Sequence, residues 1–110
     1  MLNILSVLSW LSTPRSGAYC AAKSAEWSLT NALRLELASQ GTRVTALHVG
    51  YMDTDMTRQL DVPKSDPAVI AKLAIDGIAA GDAEIIADEI SRRVLAGLSA
   101  GVAGLYPQVA

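Results

Sequence analysis

The chain has 110 residues, 51% hydrophobic and 18% charged, with 9 Lys plus Arg against 11 Asp plus Glu. That length supports one domain, and so aliphatic a chain has too much surface to bury to stay disordered. The net charge of −2 argues against a nucleic-acid partner, and one Cys excludes an internal disulfide or a Cys-based zinc cluster.

Two stretches carry no charge, residues 1–14 and 94–110. The first has no basic residue ahead of its apolar part and makes a poor signal peptide. The second falls short of a span of roughly 20 residues and is broken by Gly97, Gly101, Gly104 and Pro107. The expectation is a soluble protein with no membrane partner. Its composition suits a reducing, cytoplasmic setting.

In chain order, residues 2–7 form a short apolar run, read as a strand buried on both faces. A Ser-rich loop follows, with Ser9, Ser12, Thr13, Pro14 and Trp10. Ser16 is placed to cap a long helix, whose inward stripe reads as Ala18, Ala22, Ala25, Leu29, Leu33 and Leu37. Gly41 suits its left-handed stop. Residues 44–49 read as a second strand ended by Gly50, before a loop holding Asp53, Thr54 and Asp55. Pro67 opens a helix to about Ala80, with Ile70, Leu73, Ala74 and Ile78 inward and Gly77 on the same side. Residues 84–87 make a short strand. Asp88 begins a last helix with Ile90, Val94 and Leu98 on one side, and residues 101–110 read as irregular. Apolar strands alternating with helices imply parallel pairing. The fold expected is α/β, with about three parallel strands and helices packed on the sheet.

Chemistry concentrates at Tyr19-Cys20-Ala21-Ala22-Lys23, with Ser6 thirteen residues ahead of Tyr19. In a helix, Tyr19 and Lys23 share a face. An ammonium about 5 Å from a phenol, at an effective dielectric near 20, favours the phenolate by roughly 3 kcal/mol. Such a phenol suits proton transfer. Ser6, at the carboxyl end of the first strand, stands where open parallel sheets bind ligands.

The segment Asn3-Ile4-Leu5-Ser6, followed by Tyr19 and Lys23, resembles the catalytic segment of the short-chain dehydrogenase/reductase family. Residues 44–56, Val-Thr-Ala-Leu-His-Val-Gly-Tyr-Met-Asp-Thr-Asp-Met, are similar to that family's sixth strand and following loop, and residues 84–88 resemble its last strand. The resemblance implies a partial Rossmann-like fold and hydride transfer between NAD or NADP and a small carbonyl or alcohol substrate. It implies that Tyr19 is the general acid/base and that Ser6 polarises and orients the carbonyl. Lys23 would assist Tyr19 and bond the nicotinamide ribose. Gly50, the backbone near Met52, and Thr54 would meet the nicotinamide, Thr54 at its carboxamide. Catalytic residues are thus expected at Ser6, Tyr19 and Lys23, and cofactor contacts at Tyr19, Lys23, Gly50, Met52 and Thr54.

The sequence departs from the family's pattern, and the Asn of the helix before the catalytic strand and the residue that chooses NAD over NADP are both absent. No Gly-rich dinucleotide turn occurs anywhere in it, and Val49 stands where the family usually has Pro. Residues 1–110 are accordingly read as a single incomplete dinucleotide-binding domain, the C-terminal portion of such an enzyme without its N-terminal half. This truncated chain is expected to be inactive by itself. The alternative is a non-catalytic, self-associating remnant or gene fragment, and either way a homo-oligomer is expected. The remaining residues invite plainer readings. His48 is structural, Cys20 packs, and no metal site is expected. Asp88, Glu89, Arg92 and Arg93 form a solvated helix face, and Trp10 lines the substrate cleft.

Overall fold

The computed structural model describes residues 1–52 and 61–109. Three strands, β1 (Leu2–Ser6), β2 (Thr45–Val49) and β3 (Glu84–Ile86), pair in parallel in that order. Helix α1 (Gly17–Glu36) joins β1 to β2, and α2 (Pro67–Ala80) precedes β3. After β3 come α3 (Glu89–Gly97) and the short α4 (Gly101–Leu105). The expected parallel α/β architecture is present.

Burial follows strand position. All five residues of β2, the middle strand, are buried. Strand β1 is an edge, and only Leu5 in it is buried. Ile4, opposite Leu47, is 54% exposed. The burial on both faces expected for residues 2–7 fails at this edge, because an apolar run does not encode whether a neighbour covers it. The strand also stops at Ser6, where Val7–Ser9 turn as a 3-10 helix capped by the Ser6 hydroxyl, which accepts from the Leu8 N–H at 3.1 Å.

Alternation divides the sheet into two faces. On one, Leu47, Val49 and Ile85 meet Ile70 and Ala74 of α2. Asp66 caps α2 by accepting from the Ala68 N–H, Pro67 occupies its first turn, and Gly81 closes it at φ 77°. Gly77 is the point of closest approach. A Cβ there would lie 2.6 Å from Ile85 Cγ1 and collide with Cδ1. Leu73 and Ile78, expected inward, are exposed, because the helix seats on the narrow line Ile70, Ala74 and Gly77.

The other face receives α1, but not by the expected stripe. Ala18, Ala22, Ala25 and Leu29 are exposed, while Cys20 and Thr30 are buried and Trp27 is half-buried. Polar groups dock this helix. Asn3 donates to Thr30 Oγ1 at 3.0 Å, Ser24 to the Ser9 carbonyl at 2.8 Å, and Arg34 Nη1 to the Val44 and Ala83 carbonyls at 2.5 and 3.1 Å. Apolar periodicity does not register a seam made of hydrogen bonds. Ser16 occupies the cap position without a side-chain bond. Helix α1 ends at Glu36, and a 3-10 turn (Ala38–Gln40) leads to Gly41 at φ 71°.

Under α1 lies His48, fully buried in β2. Trp10 stacks on its ring at 4.1 Å and 18°, and Trp27 meets Trp10 edge-on at 5.9 Å. Trp10 is therefore a core residue and not part of a cleft wall. His48 Nε2 donates to the Glu84 carboxylate at 2.8 Å. Burial lowers the His48 pKa from its ordinary value, aided by the Arg34 charge and opposed by Glu84. In α3, Ser91 is buried and Ile90, expected inward, is exposed. Residues 101–105 are helical and not irregular. Gly104 has no room for a Cβ, which would fall 2.5 Å from Ala100 Cβ, so a small residue lets this turn close.

Candidate active site

Parallel strands aligned in one direction bring their carboxyl ends to one edge of the sheet, and backbone leaves the sheet there as loops. Ser6 stands at that end of β1, and Val49 with Gly50 at that end of β2, register partners across the pair Ser6 and Val49. The bond from the Leu8 N–H uses a lone pair of the Ser6 hydroxyl and leaves its proton to donate. The Ser9 hydroxyl donates to the Ser6 carbonyl at 2.5 Å, which tightens the turn.

The second turn of α1 is fixed to the same turn through Ser24 and the Ser9 carbonyl, and Cys20 beside it is buried. Tyr19 and Lys23 ride on the first two turns of the helix. Tyr19 is 52% exposed, so its phenol is open to a ligand. Lys23 Nζ lies 5.6 Å from the Tyr19 ring centroid, and its side chain is 22% exposed. The expected helical pairing is present. An unexpected third member is Glu26, whose carboxylate accepts from Lys23 at 3.2 Å. That carboxylate offsets part of the cation's field, a contribution the Tyr-to-Lys spacing did not reveal.

On the β2 side, Tyr51 and Met52 continue from Gly50. The Ser65 N–H donates to the Tyr51 carbonyl at 2.9 Å, and Met52 bridges Ser65 in parallel. Met52 packs partly buried against the core beside α2. Thr54, with Asp53 and Asp55, lies outside the described residues. Next to this loop a cleft of about 510 Å³ opens between Tyr51, Val62, Pro63 and the start of α3, with Lys64 and Arg93 at its walls.

Asp88 is not part of the solvated face the sequence suggests. It caps α3, accepting from the Ser91 N–H at 3.0 Å, and its second oxygen accepts from the Gly50 N–H at 2.6 Å. The cap was legible as an Asp ahead of a helical run, whereas the bond to Gly50 spans 38 residues and leaves no local signal. Tyr106 was also missed. Its hydroxyl accepts from the Ser12 N–H at 2.7 Å and ties the end of α4 to the β1–α1 loop. The Arg92–Glu89 pair, 3.3 Å apart, lies on the expected solvated face of α3. Among the described residues, no group of three or more His, Cys, Asp or Glu is arranged to hold a metal. No described helix is long and apolar enough to cross a membrane.

A model of the short chain dehydrogenase family matches residues 1–64. The chain belongs to that family. This short chain dehydrogenase is 38% identical over 78 residues to an uncharacterized oxidoreductase of Staphylococcus saprophyticus, which covers 68% of this chain and 33% of that protein. It is 33% identical over 91 residues to the 2-(R)-hydroxypropyl-CoM dehydrogenase of Xanthobacter autotrophicus, covering 82% of this chain and 36% of that one. Its fold matches a short chain dehydrogenase of Burkholderia cenocepacia, solved in complex with NADP. The TM-score is 0.88 at 26% identity, over 97% of this chain and 46% of that chain. The chain thus spans about a third of the curated relatives named here and just under half of the solved neighbour.

Proposed function

We propose that residues 1–110 are the C-terminal portion of an NAD(P)-dependent short chain dehydrogenase, an incomplete dinucleotide-binding domain that holds the reacting centre. The enzyme exchanges a hydride between NAD or NADP and a small carbonyl or alcohol. What supports this most is that Ser6 ends β1 at the carboxyl edge of a parallel sheet, while α1, bearing the paired Tyr19 and Lys23, is bonded through Ser24 to Ser9 in the turn that follows Ser6.

The residues present fit the nicotinamide-ribose end of such a cofactor. A cationic donor and an exposed phenol stand together, and both suit sugar hydroxyls. When bound, the cofactor supplies or accepts the hydride. Tyr19 gives a proton to the substrate oxygen in reduction and takes it back in oxidation. Ser6 donates its free hydroxyl proton to the same oxygen and orients it. Lys23 bonds the ribose and keeps positive charge beside the phenol. Gly50 and Met52 lie on the nicotinamide side, and Thr54 is assigned to the carboxamide from the family resemblance alone. The sequence contains no Gly-rich phosphate turn, so cofactor affinity is low and the positioning advantage is small. Buried Cys20 carries a free thiol, which suits the cytoplasm.

The test is carbonyl reduction with NADH or NADPH by a longer enzyme that carries residues 1–110 together with a dinucleotide-binding half, with Tyr19→Phe as the decisive variant. Loss of turnover with an unchanged circular dichroism spectrum is expected. Retained turnover in Tyr19→Phe overturns the assignment.

One observation favours a second reading, a self-associating protein. The outer face of α1 exposes Ala18, Ala22, Ala25 and Leu29, with Leu29 59% exposed, and among the described residues no strand pairs with the outer edge of β1. Small residues allow close helix approach, and bare strand edges recruit other chains. Sedimentation should give a dimer or larger species, and a clean monomer at working concentration removes this reading.

A further inference from the structure

The geometry points to Asp88 as a positioning residue for the cofactor-side loop. It acts by holding the Gly50 N–H at the point where the chain leaves β2. The inference rests on the proposed function for its purpose, though not for the contact itself.

Asp88 divides its two oxygens between two elements. Oδ1 accepts from the Ser91 N–H and starts α3. Oδ2 accepts from the Gly50 N–H at 2.6 Å, a partly buried bond. A cap needs only the first of these. The second fixes the loop after β2 against the first turn of α3. Gly50 is crowded there as well, since a Cβ would lie 2.8 Å from Ile90 Cγ2 and 3.2 Å from Asp88 Oδ2. Backbone and carboxylate meet without a side chain between them, which a Gly permits. From that point the chain runs through Tyr51 and Met52, where Ser65 holds it a second time.

Charge matters to this arrangement. A carboxylate has acceptor sites on both oxygens, so it can receive two N–H groups at once. The isosteric amide has one oxygen and one NH2. In Asp88→Asn the oxygen keeps the cap and the NH2 faces the Gly50 N–H, donor against donor. In Asp88→Ser the short hydroxyl still caps α3 but is too short to serve Gly50 as well. Both variants preserve the helix start, and both release the loop. Glu89, one residue on, has its carboxylate on Arg92, so Glu89→Gln serves as the neutral control on the same turn.

The experiment measures amide hydrogen exchange at Gly50, Tyr51 and Val94 in the wild-type chain and in the three variants. Steady-state reduction is measured in parallel against NADPH concentration. In Asp88→Asn and Asp88→Ser, Gly50 should exchange about tenfold faster, with Val94 unchanged. The KM for NADPH should rise about tenfold with kcat within about twofold, and Glu89→Gln should behave as wild type. A merely structural role would lower Val94 protection together with Gly50. That result overturns the proposal, as does Gly50 protection that survives both variants, or released Gly50 with an unaltered KM. Residues 1–110 alone are expected to turn over little or not at all, and in that case Gly50 exchange alone decides whether the clamp exists, while the Tyr19→Phe comparison decides the proposed function separately.

Discussion

Gly77→Ala sets two opposing effects against each other. In a helix interior, Ala is favoured over Gly by about 1 kcal/mol. Against that, the new methyl would stand 2.6 Å from Ile85 Cγ1 and overlap Cδ1, at the line where α2 rests on β3. Ile85 is buried among Leu47, Val49, Ile70 and Ala74, so it has little freedom to swing away. Overpacking of this kind costs about 1–3 kcal/mol. With Ile85 held in place the clash outweighs propensity, and Gly77→Ala should lose up to about 2 kcal/mol. Urea unfolding followed by far-ultraviolet circular dichroism measures the change. Ile85→Val removes Cδ1, so the double variant should be more stable than the sum of the two single changes implies, by about 1 kcal/mol. If Gly77→Ala instead stabilises the chain by the full helix-propensity amount, α2 does not sit on Ile85 as described. Strict additivity with Ile85→Val would refute the contact equally.

His48 is the chain's one histidine, and its folded pKa lies below the ordinary 6.5 because burial outweighs its bond to Glu84. The unfolded chain therefore binds the proton first as pH falls. Stability should decline below about pH 6.5, by at most about 1.4 kcal/mol per pH unit, until the folded pKa is reached. His48→Gln should flatten that slope in urea titrations, and an undiminished slope assigns it elsewhere. Arg34 bonds the Val44 and Ala83 carbonyls, joining α1 to the entries of β2 and β3. Arg34→Met should cost about 2–3 kcal/mol in the same unfolding assay, since bonds to a charged group are lost and carbonyls are stranded. A loss below about 0.5 kcal/mol would place the guanidinium in solvent.

The parts of the fold that were legible in the sequence are those with local causes. Pro67 ahead of an apolar run and Gly41 after a helix marked real boundaries, and the alternation of strands with helices gave the parallel sheet. The docking face of α1 was only partly legible, because Thr30, Ser24 and Arg34 hold it with hydrogen bonds while Ala18, Ala22, Ala25 and Leu29 of the apolar stripe face outward. At the candidate site, the pairing of Tyr19 with Lys23 follows from helical spacing alone. Glu26 lies on the same helix, but its pairing with Lys23 depends on rotamers that spacing does not set. The bonds from Gly50 to Asp88 and from Ser12 to Tyr106 cross 38 and 94 residues, and only the folded chain brings those groups together.

The chain's two tryptophans touch each other, and one of them lies flat on the histidine. Emission from this protein is therefore a local gauge of a single seam, the one between α1 and the sheet. It is blind to α2 on the opposite face. A transition seen by fluorescence earlier than by circular dichroism would mean that the two sides of the sheet let go separately, the His48 side first.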